Sequence, residues 1–195
     1  MSESESKERL LAAAKALILA QGFAGTTVDQ ICGKAKLTKG SFYHFFKSKE
    51  ELGIAVLEWS MKKGGEILVD GPHAKVADPV ERAFAFLKHV ESCAPKLWSS
   101  GCILASFSLE LAATNKKMQK VVSRMFRETE EFFASELKPL ADESSPASSS
   151  ELGQECLALL EGSIILAQAH REPERIGRAI RGFREHLQNL AAAAK

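Results

Sequence analysis

Apolar residues recur three and four apart in one stretch of this chain after another, the spacing of helices with one buried face. Leu10, Ala14, Leu17 and Gln21, flanked by Leu11 and Ile18, predict a helix over Ser6–Gln21. Gly22 follows as a left-handed cap, with Phe23 as the apolar residue behind it. Val28, Ile31, Cys32 and Ala35 share the face of a short helix that Thr27 and Gln30 open as a capping box. Lys36 and Leu37 break the period, with Leu37 as the apolar plug of a turn. Thr38 caps a second short helix whose inner face is Phe42, Phe45 and Phe46. Ser48 and Glu51 form another capping box and start a longer helix to about Ile67, with Leu52, Ala55, Val56, Trp59 and Lys63 in register. Gly64-Gly65 should weaken its last turn, and Asp70-Gly71-Pro72 ends it.

The pattern restarts at Asp78-Pro79-Val80-Glu81 and runs through Phe84, Leu87 and Val90 until Ala94-Pro95 closes it. From Trp98 to Leu111 nearly every face is apolar, which predicts a helix buried in a domain centre and ended by Asn115. Met118, Val121, Val122, Met125, Thr129, Phe132 and Phe133 mark a long amphipathic helix to about Leu137. Asp142–Ser150 reads as a mobile loop, and Cys156–Ala169 as a second nearly all-apolar helix. After Pro173 comes a last helix in which Ile176, Ile180, Phe183, Leu187 and Leu190 step by four and three, a seven-residue repeat suited to close helix packing. The fold class is therefore all-α, with about nine helices. An N-terminal three-helix headpiece precedes a larger helical domain.

Total charge says little, since the chain carries only +1. Its distribution says more. Residues 1–50 hold eight basic against five acidic side chains, +3, and between Asp29 and Glu50 every charged residue is a lysine. That is a local positive field directed at an anionic partner. The polar, acidic start MSESESKE is no signal peptide, and no segment is long and apolar enough to span a bilayer. A cytoplasmic protein is expected, so Cys32, Cys93, Cys102 and Cys156, which lack C-x-x-C spacing, should be thiols. No nucleophile–base–acid order, phosphate-binding glycine loop or metal-spaced set of ligands is visible. Neither an enzyme nor a metal site is expected, and no cofactor.

A short helix, a tight turn and a second short helix suit DNA binding through a helix-turn-helix. The face opposite Phe42, Phe45 and Phe46 carries Gly40, Tyr43, His44 and Lys47. Gly40 lets the helix press close to a groove wall. Thr38, Lys39, Ser41 and His44 are candidates for base-edge or groove contacts. Thr27, Tyr43 and Lys49 are candidates for phosphate contacts, which position rather than specify.

The string Leu37-Thr38-Lys39-Gly40-Ser41-Phe42-Tyr43-His44-Phe45-Phe46, preceded by Thr27-Val28 and Ala35 and followed by Lys49-Glu50-Glu51-Leu52, resembles the TetR family of transcriptional regulators. Gly40, Tyr43, Phe46, Lys49, Glu50 and Leu52 fit its G-x-x-Y-x-[YH]-F and K-E-x-L pattern. Lys36-Leu37 stands where members often have Gly-Val. The resemblance implies a helix-turn-helix domain over 1–50 and a ligand-binding and dimerisation domain over 51–195. It implies a regulator, in most cases a repressor, that leaves double-stranded operator DNA when a small-molecule effector binds. Trp59, Phe84, Trp98, Cys102, Phe107, Met125 and Phe126 are then candidates for the effector pocket, with His89, Glu110 and His170 as polar anchors. The helix from Ser48 would link the two domains mechanically.

The two C-terminal helices could bury their apolar faces within one chain, or against the same helices of a second chain as a four-helix bundle. The resemblance favours a homodimer, with Leu160, Ile164, Ile176, Ile180, Phe183 and Leu187 as interface candidates. Gly101-Cys102-Ile103-Leu104 is similar to a Gly-Cys-Leu segment in a branch of the family, some of whose members sense electrophiles or oxidants through that thiol. The alternative function is a helical protein-binding scaffold without DNA binding.

Overall fold

The computed structural model describes residues 2–111, 113–144 and 148–193. Among these it contains nine α-helices and no strand: α1 (Glu3–Gln21), α2 (Val28–Ala35), α3 (Lys39–Phe45), α4 (Lys49–Val69), α5 (Pro79–Trp98), α6 (Ile103–Leu111), α7 (Lys116–Ser144), α8 (Ser149–His170) and α9 (Glu174–Ala193). A single 3-10 turn, Pro72–Lys75, precedes α5. The all-helical reading holds.

By compactness the chain forms two units. One comprises Met1–Lys63 and Cys102–Arg124, the other Gly64–Gly101 and Met125–Lys195. In the first, α1 packs on α2, α3 and α6. Leu10, Ala14 and Ile18 of α1, Ile31 of α2, Phe42 of α3 and Leu52 and Val56 of α4 are fully enclosed. The stripe on α1 is displaced from the expected one, because Gln21 is exposed and Leu17 half-buried while Leu11 and Ala13 are inside. The helix also starts earlier than expected, since the Ser2 hydroxyl accepts the Glu5 N–H and caps it.

In the second unit α9 packs along α5 and α8. Phe86, Leu87 and Val90 of α5, Phe133 and Leu137 of α7, Cys156 and Leu160 of α8, and Ile176 and Ile180 of α9 are buried. Burial pushes the Cys156 thiol up to about 12, so this sulfur behaves as a small apolar residue.

Other helix ends also differ from their expected places, and proline is involved in two. Pro95 does not close α5, which continues to Trp98. Proline has no N–H for the carbonyl four residues back, and the Glu91 carbonyl so released lies against Gly177 of α9, where a Cβ would come within 3.2 Å of it. The Glu91 carboxylate fastens the same contact, accepting from Arg181 Nε at 2.7 Å and Arg184 Nη2 at 3.0 Å. Likewise α7 passes through Pro139 to Ser144 instead of stopping near Leu137. Most of the expected Asp142–Ser150 loop is therefore helical; residues 145–147 lie outside the described part, and Ser148 with Glu151 caps α8 by a full capping box. In addition, α6 begins only at Ile103, and it is not enclosed on every face, because Leu109 is 82 % exposed. Asn115 caps the start of α7, its Oδ1 accepting the Met118 N–H at 2.9 Å, rather than ending α6.

Among the described residues two side-chain-bearing positions, Lys36 and Arg171, carry left-handed backbone strain. Lys36 adopts a left-handed conformation, φ 53° and ψ 48°, at the end of α2. A side chain there costs about 1 kcal/mol that glycine avoids. Lys36→Gly should therefore raise the melting temperature by roughly 2–4 °C in calorimetry.

Candidate nucleic-acid interface

The helix pair is assembled by caps and by contacts from distant helices. Thr27 and Gln30 form the reciprocal capping box, with Thr27 N–H to Gln30 Oε1 at 2.8 Å and Gln30 N–H to Thr27 Oγ1 at 3.2 Å. The turn closes with the Leu37 N–H on the Cys32 carbonyl at 2.9 Å, and the Cys32 thiol points at the Thr38 carbonyl at 3.6 Å. Arg9 of α1 donates to the last carbonyl of α2, that of Ala35, at 2.6 Å. Thr38 then caps α3 by accepting the Ser41 N–H at 3.1 Å, and the two hydroxyls lie 3.0 Å apart.

On α3 the expected division of faces is present. Phe42 and Phe46 are buried and Phe45 half-buried. Lys39, Gly40, Tyr43, His44 and Lys47 are exposed, and Ser41 is half-buried. Tyr43 is 59 % exposed and rests edge-on against Phe42, ring centres 5.1 Å apart, which aims the phenol outward. Gly40 has no crowded neighbour, since a Cβ would meet only Thr38 Oγ1 at an ordinary 3.5 Å. Packing within the chain gives no reason for glycine there; close approach to a partner would.

Two of the basic side chains are held by carboxylates. Lys39 Nζ lies 2.7 Å from Asp29 on α2, and this bond raises the lysine above its usual range. His44 Nε2 is 3.1 Å from Glu3 on α1. Both pairs are exposed, so each is worth little to stability, but each sets where its side chain points. Lys49 is placed otherwise. Its ammonium is half-buried and donates to the carbonyls of Phe23 at 2.9 Å, Thr26 at 3.0 Å and Ala24 at 3.3 Å. It organises the loop before α2 instead of facing outward.

Residues 10–56 match the family of bacterial regulatory proteins of the tetR family, and residues 79–181 match the C-terminal domain of LmrA/YxaF-like transcriptional regulators. The chain belongs to the TetR family. Among its relatives, the regulator YxaF of Bacillus subtilis is 28% identical over 173 residues, covering 88% of this chain and 89% of YxaF. The repressor NemR of Escherichia coli is 27% identical over 124 residues, 63% of this chain and 62% of NemR. A TetR regulator from Chloroflexus aurantiacus superposes with a TM-score of 0.80 at 26% identity, covering 95% of this chain and 96% of that one. NemR in its reduced form superposes with a TM-score of 0.75. A TetR-family protein with a helix-turn-helix is a DNA-binding transcriptional regulator, not an enzyme. Among the described residues no helix is long and apolar enough to cross a membrane.

Other residues singled out from the TetR-like pattern are placed as follows. Trp59, Cys102 and Phe107 fall in the first unit; Phe84, Trp98, Met125 and Phe126 fall in the second. Cys102, Phe107 and Met125 are buried, the others half-buried. Of the expected polar anchors, Glu110 is engaged by the backbone of Phe23 and Ala24, and His89 Nε2 by the Ile67 carbonyl at 2.8 Å. His170 is exposed at the end of α8.

The interface candidates Leu160, Ile164, Ile176, Ile180 and Leu187 are consumed in packing inside the chain's second unit; Phe183 is half-buried. What α8 leaves outside is a different stripe: Ala158, Gly162, Ile165, Leu166 and Ala169. Ile165 is 50 % and Leu166 49 % exposed. On α9 Gly182 is open and Phe183 and Leu190 half-open. Neither Gly162 nor Gly182 has a heavy atom within 4 Å of where a Cβ would be. Sequence periodicity marks both faces of such helices as apolar and does not say which one the chain itself covers.

Proposed function

We propose that this chain is a homodimeric, cytoplasmic repressor that holds a double-stranded operator through residues 1–50 and is released when a small molecule binds within residues 51–195. One observation carries the DNA contacts: Lys39, Gly40, Tyr43 and His44 of α3, with Lys47 just past its end, form a basic surface that intramolecular packing leaves uncovered. Lys39, His44, Ser41 and Thr38 read groove edges in this scheme, while Tyr43, Lys47 and the Thr27 cap hold phosphates. Lys49 acts on DNA at one remove, through the loop it grips.

The test is retardation of DNA from upstream of the protein's own gene, compared with a random duplex. Lys39→Ala should narrow the gap between the two by about tenfold, the worth of one good base contact. Tyr43→Ala should weaken both with the salt slope unchanged, because a neutral phenol releases no counterion, whereas Lys47→Ala should lower that slope by about one. Unchanged operator affinity in Tyr43→Ala would sink this site.

Support for a small-molecule effector comes from Trp59 Nε1 and Ser60 Oγ of α4, buried polar atoms that have no partner among the described residues. A ligand with a hydrogen-bond acceptor would satisfy them. Cys102 favours a second reading, regulation by an oxidant or electrophile. Its thiol interacts electrostatically with Lys15 of α1, whose ammonium burial holds below the usual lysine range. In this reading Cys102→Ser binds operator normally and no longer lets go on treatment with peroxide or N-ethylmaleimide. Release of Cys102→Ser at the wild-type reagent concentration would leave the thiol a plain core residue.

A further inference from the structure

The loop between α1 and α2 is gripped from opposite chemical sides. Its donors go to α6. Glu110 Oε2 accepts the Phe23 N–H at 2.6 Å, and Oε1 accepts the Ala24 N–H. Its acceptors go to α4, through the three carbonyls on Lys49 Nζ. The Phe23 ring lies between the same two helices. It sits 5.0 Å from Phe107, one turn before Glu110, and 4.5 Å beneath the Lys49 ammonium, and it fits only because residue 53 is glycine, where a Cβ would stand 2.8 Å from its edge. Gly22 is also required, for its φ of +79° and because a Cβ there would approach Glu110 Oε2 to 3.0 Å. Thr26, fully buried, closes the loop by donating to the Gly22 carbonyl at 2.7 Å.

The next residue is Thr27, the cap of α2. Wherever this loop is held, α2 begins there, and the turn and α3 follow. The carboxylate that holds it belongs to residue 110, far outside the matched headpiece of residues 10–56. We infer that Glu110 is a positioning residue for operator recognition: it fixes the entry of α2 and so the angle at which α3 is offered to DNA. It touches no DNA itself. Together with the Phe23–Phe107 contact, this carboxylate ties α6 to the entry of the helix-turn-helix.

The test compares full-length Glu110→Ala and Glu110→Gln with wild type and with Leu109→Ala, a control on the exposed side of α6. The readouts are affinity for operator and for random duplex, the salt slope, the melting temperature, and hydrogen exchange at the Phe23 and Ala24 amides. Glu110→Ala leaves two N–H groups unpaired and should speed exchange at both by about tenfold or more. Operator affinity should fall by about tenfold or more, with random-duplex affinity changed less than about threefold and the salt slope intact, since no phosphate contact is lost. Glu110→Gln keeps one acceptor oxygen and should lie between, and it carries the test if Glu110→Ala does not fold. Faster exchange with operator affinity within about twofold of wild type overturns the inference. So does an equal loss on operator and random DNA, which marks general loosening. A wild type that prefers no duplex would instead count against the DNA reading itself.

Discussion

A chain carrying Ile165→Glu and Leu166→Glu is expected to run as a monomer in sedimentation, to keep its helical circular dichroism, and to lose operator affinity by about a hundredfold or more. The loss follows from linked binding: two joined headpieces reach two half-sites roughly 34 Å apart, and the second contact gains a factor of about 10²–10⁴ from effective concentration. Secondary structure survives because both side chains are half outside the chain already. A carboxylate there is solvated in the monomer and stranded in an apolar dimer seam. Ile180→Glu provides the contrast. Its side chain is fully enclosed within the second unit, so the same change should unfold that unit rather than separate two copies. A double variant that still sediments as a dimer would move the interface off α8.

Gly153→Val is expected to prevent folding or to lower the melting temperature by more than about 10 °C, a loss beyond about 3 kcal/mol. Gly153 lies on α8 where it crosses α7. A Cβ would stand 2.5 Å from the Glu130 carbonyl oxygen and 2.8 Å from the Ala134 nitrogen. Both are backbone atoms of a continuous helix and cannot swing aside, so the two helices would have to separate. Gly64→Ala is the matched control. Gly64 sits within α4 with no atom within 4 Å of a Cβ. Alanine there should raise stability by about 1 kcal/mol, the ordinary helix-propensity difference. Equal effects of the two changes, read by thermal melts, would mean that helix propensity governs at Gly153 rather than the crossing.

The difference between those glycines is invisible in the sequence, where both interrupt an otherwise helical pattern. The same holds for proline. Pro79 begins α5 as expected of a proline in a first turn, yet Pro95 and Pro139 sit inside helices that run on. At Pro95 the released Glu91 carbonyl faces a glycine on another helix, 82 positions away.

Caps and periods, by contrast, depend on neighbours three or four positions along the chain. Thr27 with Gln30, Thr38 before α3, Ser48 before α4 and Asp78 before α5 all accept the N–H three residues on, as their spacing implies. Helical content could accordingly be derived from the whole chain without coordinates, the helix-turn-helix and the outward face of α3 from residues 27–49, and the family resemblance from the pattern of the latter. Which of two apolar faces turns inward on α8, why Lys49 faces a loop instead of solvent, and what Glu110 grips could not. Those outcomes rest on partners 23 to 87 residues distant, brought together only when the helices pack, and no local rule of spacing reaches that far.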